Sequence, residues 1–122
     1  MRLILTTIIL MLLMQPVLAE SVGSLYLNCK SWQNSGYKNP SPLSYEGINA
    51  LRCYEYMNAM QDVGAQNCVQ PEGLDAFRWY ATPMQLAQHF INTAEAKPEL
   101  WQSNPYLLIT TGIAHKVFPC KE

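Results

Sequence analysis

The amino-acid sequence predicts an all-α fold, a small bundle of about four to five helices with two disulfides. Three observations point there. Apolar residues recur at three- and four-residue steps in four separate stretches, the period of a buried helical face. Helix-start signals stand ahead of three of those stretches. Four cysteines, Cys29, Cys53, Cys68 and Cys120, are distributed along the chain, an even number that reads as two bridges with three connectivities open.

The first helix follows from Val22, Leu25, Tyr26, Cys29 and Trp32, which share one face. Residues 33–44 then break the pattern with Gly36, Pro40 and Pro42 among Asn and Ser, a loop by composition. Ser44 is placed to cap a second helix running to about Val63, with Ala50, Cys53, Tyr56, Met57, Met60 and Val63 as its stripe. The methionines and tyrosines of that stripe read as core rather than as a ligand box. Gly64 stands where a left-handed helix terminus is expected.

No period survives in residues 64–81. That stretch holds the aromatic cluster Phe77, Trp79 and Tyr80 with Arg78 among them, near the acidic pair Glu72 and Asp75. A loop of this length in a small domain is often functional. Two readings are open: the aromatics fold back over the core as a lid, or they meet a partner, for which Trp, Tyr and Arg are the enriched residue types.

The third helix carries the clearest start. Thr82 is its cap, Pro83 its first residue and Gln85 the reciprocal partner of a capping box. Met84, Ala87, Phe90, Ile91 and Ala94 are its expected buried face, and Pro98 ends it. Asn104-Pro105 restarts the chain into a fourth helix, with Tyr106, Ile109, Ile113 and Val117 on one side and Leu108 broadening it. Thr110, Thr111 and Gly112 are poor helix formers, so a strand competes there. Helix is retained because the segment lies between a clear start and Pro119. If the third and fourth helices are antiparallel, Cys68 and Cys120 meet, which leaves Cys29 to tie the first helix to Cys53 on the second. Each closure would contribute roughly 3–4 kcal/mol through the entropy of the unfolded chain.

The first residues have a separate character. Met1-Arg2, the apolar run from Leu3 to Met14, and Val17-Leu18-Ala19 before Glu20 form a secretory signal peptide in pattern. The run is shorter than the ~20 apolar residues of a membrane span. Residues 1–19 are therefore expected to be removed. Residues 20–122 are expected to form a single domain with no membrane association, in a compartment where cystines persist.

The chain has 8 Lys and Arg against 9 Asp and Glu, a formal charge of −1, too mild to imply nucleic acid or an anionic membrane. Charged residues make up 14% of it, under the roughly 25% usual for globular domains. The surface is thus rich in uncharged polar and aromatic groups, which suits contact with another protein.

Motifs for catalysis are lacking. The cysteines are better used as bridges than as nucleophiles, and no C-x-x-C or His spacing suggests zinc. His115 falls in a last helical turn, where an imidazolium suits the dipole, and His89 adjoins Phe90 on a polar edge. No phosphate loop or nucleophile elbow occurs. An enzyme is not expected, nor any metal or cofactor.

One resemblance spans nearly all of residues 25–120. Cys53, Tyr56 and Asp62 fall in order on the second helix, with Met57 and Met60 as apolar replacements. They are followed by Cys68, Pro71 and Gly73, by Thr82, Gln85 and Leu86, by Pro98-Glu99 and by Phe118-Pro119-Cys120. In this order the chain resembles the Rap/Tai family of immunity proteins, which protect bacteria from peptidoglycan amidases delivered by type VI secretion. It departs from the family pattern in Glu55 and Ala59, which replace helix glycines, in one extra residue between Cys68 and Pro71, and in residues 75–81, which look inserted.

The resemblance implies a periplasmic, helical, dimeric protein that binds its cognate amidase effector and plugs the substrate cleft with a protruding loop. The loop of residues 72–80 is then the expected contact, through Glu72, Asp75, Phe77, Arg78, Trp79 and Tyr80, with Trp79, Tyr80 and Arg78 as anchors. The turn of residues 97–104 is the rival position. A second reading is an exported helical chaperone or binding protein, stapled by disulfides and unrelated to toxins.

Overall fold

A computed structural model describes residues 20–69 and 77–120. The signal-peptide pattern, Glu72 and Asp75 lie outside the described residues. Helix α1 spans Val22–Asn34, α2 Tyr45–Cys68 and α3 Pro83–Ala96. A 3-10 turn at Pro98–Leu100 follows. The last helix, α4, is built from three consecutive pieces, α-helical Pro105–Leu107, π-helical Leu108–Ile113 and α-helical Ala114–Val117. The described residues contain no strand.

The expected caps form as drawn. Ser44 accepts from the Gly47 N–H at 2.9 Å, and Thr82 and Gln85 complete the reciprocal capping box. The Asn104 side chain accepts from the N–H groups of Tyr106 and Leu107. The amino end of α1 is finished by tertiary partners. Ser21 accepts from Ser24 N–H, while Val22 and Gly23 donate to the carbonyls of Ser103 and Trp101, both at 2.9 Å. Orphan donors that would otherwise need water are thus bonded to the α3–α4 connection.

Helices α1 and α2 lie antiparallel and are joined by Cys29–Cys53; α3 packs against both. The core runs from Leu25, Cys29 and Trp32 through Ala50, Cys53, Met57 and Met60 to Leu86, Phe90, Ile91 and Ile109. Trp101 closes the side nearest α1: its Nε1 donates to the Ala94 carbonyl at 2.8 Å, and its ring lies 5.1 Å from that of Tyr26. The Lys30–Glu95 ion pair on that edge, at 3.4 Å, is exposed enough to count for well under 1 kcal/mol.

The fold corrects three expectations. Helix α2 does not stop near Val63; it continues to Cys68, and Gly64 is a buried helical residue rather than a terminus. On α3, Met84 is exposed and Leu86 is buried. The covered arc is Leu86, Ala87, Phe90, Ile91 and Ala94, and Met84 stands at its edge on the first turn.

On α4, Ile109 and Ile113 are buried as expected, but Thr110 and Ala114 join them while Tyr106 and Val117 face solvent. Bonds of i→i+5 type widen each turn, so a stripe counted at the α-helical period slips out of phase. Thr110, Thr111 and Gly112 fall in this stretch. The Thr110 hydroxyl donates to the Tyr106 carbonyl at 2.8 Å, Thr111 donates to Leu107, and His115 Nδ1 lies 3.0 Å from the Thr110 carbonyl. Side chains therefore serve carbonyls that the widened ladder leaves under-used.

Both bridges form, Cys29–Cys53 and Cys68–Cys120, closing loops of 24 and 52 residues. Loop-closure entropy makes them worth about 3.5 and about 4 kcal/mol. Replacing Cys29 and Cys53 together by Ser should lower unfolding free energy by about 3 kcal/mol, read as a lower urea midpoint with a somewhat steeper slope, because the unfolded chain without the crosslink is less compact.

Tyr56 supplies a second check. Burial, then the nearby Glu20 and Tyr106, push its phenol up to about 12 from an ordinary value near 10. The folded state therefore holds this proton more tightly than the unfolded chain. Its contribution is complete below about pH 10 and is lost as pH rises through about 12. Tyr56→Phe should flatten the fall in stability over that interval, measured by urea unfolding without reductant.

Candidate functional site

The aromatic cluster expected at the partner-facing loop is held as a strap, residues 77–81, between the carboxy end of α2 and the end of α4. Four contacts fix it. The Trp79 indole donates to the Met60 carbonyl at 3.0 Å. Arg78 donates from its guanidinium to the Cys68 carbonyl at 3.3 Å, satisfying an orphan acceptor at the end of α2. The Tyr80 N–H donates to the Phe118 carbonyl at 2.9 Å. Cys68 is bonded to Cys120 and its Sγ also lies 3.4 Å from the Trp79 carbonyl.

Gly64 makes the seat. A Cβ placed there would stand 2.2 to 2.4 Å from three atoms of the Trp79 indole, well inside van der Waals contact. Only a residue without a side chain lets the ring lie against the helix backbone, and this is why the helix runs on past Gly64.

The expected contact residues separate accordingly. Trp79 is fully buried, so its assignment as a partner-facing anchor is corrected: it cannot reach a partner without leaving the core. Phe77 and Arg78 are half-buried, with the Phe77 ring 6.5 Å from that of Tyr106. Tyr80 is presented, 54% exposed. The buried Trp79 fits the lid reading, and Tyr80 is the residue of the strap most open to solvent.

Ten large hydrophobic residues are exposed among the described residues, and six of them, Val69, Tyr80, Met84, Tyr106, Leu107 and Val117, lie on the strap or on the helix ends it touches. Val69 follows Cys68, Met84 is on the first turn of α3, Val117 precedes the carbonyl that holds Tyr80, and Tyr106 meets Phe77. Sequence reasoning missed most of this patch. Met84, Tyr106 and Val117 read as core at an ideal helical period, and only the widened turns of α4 put the latter two outside.

In the rival position, the turn of residues 97–104, the Trp101 and Ser103 carbonyls cap α1. The histidines have structural neighbours, His89 standing edge-on to Phe118 with ring centroids 5.1 Å apart. All four cysteines are in bridges, so none presents a thiolate. Two bridges place the chain in a non-reducing compartment. Among the described residues no helix is long and apolar enough to cross a membrane.

Fold and site define a small disulfide-stapled all-α protein with exposed apolar side chains on the strap and on the helix ends beside it. No family model matches the chain, and neither a curated protein nor a solved structure matches it.

The Gly64–Trp79 contact makes a direct prediction. Gly64→Ala should destabilise by about 2 kcal/mol or more through overpacking, and Trp79→Ala by about 3–5 kcal/mol. Chemical denaturation reads both. The near-ultraviolet dichroism of Gly64→Ala should also change, because the indole must shift.

Proposed function

We propose that this protein is a periplasmic immunity protein that binds a peptidoglycan amidase effector of type VI secretion and blocks its substrate cleft. The supporting observation is the patch around Tyr80, an ordered apolar surface carried on a strap whose backbone is pinned before any partner arrives. Together with the motif order from Cys53 to Cys120, it fits a protein that inhibits by docking rather than by reacting.

The physical logic is preorganisation. Binding a partner costs the entropy of every segment that must be ordered at the moment of docking. Here Trp79, the Cys68–Cys120 bridge and the bond from Tyr80 to Phe118 order the strap during folding. Tyr80 and Met84 are then the proposed anchors of the contact, with the exposed Val69, Tyr106, Leu107 and Val117 on the neighbouring helix ends adding apolar area. Such a surface excludes substrate from a cleft without offering any bond to cleave. Glu72 and Asp75 precede the strap in sequence and stay in the proposed contact by the resemblance alone. The resemblance also carries a homodimer, which light scattering of the mature protein reads directly.

The test first reads the adjacent gene, expected to encode an amidase with a cysteine–histidine pair, and then uses that amidase in the hydrolysis of purified peptidoglycan. The wild-type protein should inhibit stoichiometrically. Tyr80→Ala combined with Met84→Ala should weaken binding by about 2 kcal/mol or more, roughly thirtyfold, with helical dichroism unchanged. Failure of the wild-type protein to bind that amidase would remove the immunity reading. Binding of many unfolded clients instead would assign the patch to a chaperone. Full inhibition by the double variant would place the plug away from the strap.

A further inference from the structure

We propose that a cleft at the opposite end of α2 is a binding site for a small neutral saccharide. The cleft encloses about 370 Å³ between the carboxy end of α1, the connecting loop and the first turns of α2. This is at the lower end of the roughly 300–1,000 Å³ that small-molecule sites occupy, so a compact ligand fits. Helix α2 has 24 residues, about 36 Å at 1.5 Å per residue, so the cleft lies far from the strap.

The walls are formed in advance. Gly36 and Tyr37 both take positive φ, 76° and 57°, and reverse the chain after α1. The Tyr37 N–H donates to the Trp32 carbonyl at 3.0 Å, its hydroxyl donates to Gln88, and its ring stands edge-on to Trp32 at 5.0 Å. Trp32 Nε1 in turn donates to the Lys38 carbonyl at 3.0 Å. On the far wall the Ser41 carbonyl lies so close over α2 that a Cβ at Gly47 would come within 1.8 Å of its oxygen. Pro40 and Pro42 flank that carbonyl, and Cys29–Cys53 ties the two helices behind it.

The lining divides into two sets by what it already does. Ser31, Ser35, Ser41 and Ser44 use their hydroxyls to hold the walls, bonding to Leu27, Trp32, Leu43 and Gly47. Asn34, Lys38, Asn39 and Glu46 make no side-chain hydrogen bond or ion pair among the described residues, yet they line the same concavity. Two amides, each both donor and acceptor, suit vicinal hydroxyls, which need both on adjacent oxygens. One cation and one anion cancel, so the site favours a neutral ligand over an anion. Tyr45 does not itself line the cleft, but it lies between the lining residues Ser44 and Glu46 and is 80% exposed, so its ring is free to cover the C–H side of a bound sugar. A peptide ligand joining as a β-strand is disfavoured, because the described residues provide no sheet edge for it to join.

The experiment is a titration of the mature, oxidised protein with glucose, N-acetylglucosamine and cellobiose, followed by protein NMR, with glycylglycine and citrate as comparators. Saturable shifts confined to residues 31–50 with at least one sugar are expected. Asn34→Ala with Asn39→Ala should weaken that binding at least about tenfold, and so should Tyr45→Ala, whereas Tyr80→Ala should leave it unchanged. These side chains are exposed, and helical dichroism verifies that the variants fold. The proposal fails if no sugar binds saturably, if the asparagine pair is without effect, or if glycylglycine or citrate binds in preference. Failure here leaves the immunity reading intact, since that reading rests on the other end of α2.

Discussion

The structure turns on one contact, the indole of Trp79 laid against the backbone of α2 at Gly64. A tryptophan buried to this degree contributes more apolar area than any other side chain in a domain this small. It does so from an irregular segment, where there is no helix of its own to hold it. The hydrogen bond to the Met60 carbonyl removes the cost of burying the indole N–H. The missing side chain at Gly64 lets the ring approach closely enough to pack. With Trp79 seated, Arg78 bonds the Cys68 carbonyl and the Tyr80 N–H bonds Phe118, so the strap is held on both sides of the indole.

The helix ends show the same dependence on tertiary partners. The first N–H groups of α1 are satisfied by the connection between α3 and α4, and the last carbonyl of α2 by Arg78 of the strap. Neither helix is therefore a self-sufficient unit; each is completed by a segment distant in sequence. The two disulfides reinforce this closure from opposite ends of α2, one at its base with α1 and one at its tip with α4. A domain of about 100 residues has a small margin of stability, and two crosslinks worth several kcal/mol make up much of it. They also free surface apolar residues from any duty in the core, which is how a patch can remain exposed at the strap.

The candidate site was legible in outline and misassigned in detail. That residues 77–80 matter was readable from their composition alone, since aromatics with an arginine in a long irregular stretch are uncommon. Which of them faces outward was not, because a strap has no period from which to read a buried side. Trp79 and Tyr80 differ in burial through partners distant in the chain, Met60 and Gly64 for the one and Phe118 for the other. The cleft near Tyr37 was hidden for a similar reason: its walls are serines and asparagines that a sequence reading treats as ordinary loop.

Local chemistry by itself determined the helical class, the caps at Ser44, Thr82 and Asn104, the buried faces of α1 and most of α2 and α3, and cysteine positions compatible with the observed pairing. These rest on interactions within four residues or on the repeat of a single helix, and such information is present wherever the residues are. Tertiary structure alone decided that α2 runs through Gly64, that α4 widens and turns Val117 outward, and that Trp79 is core while Tyr80 is surface. Each of those outcomes depends on what lies across the gap from a residue rather than beside it, and packing partners distant in the chain leave no local mark.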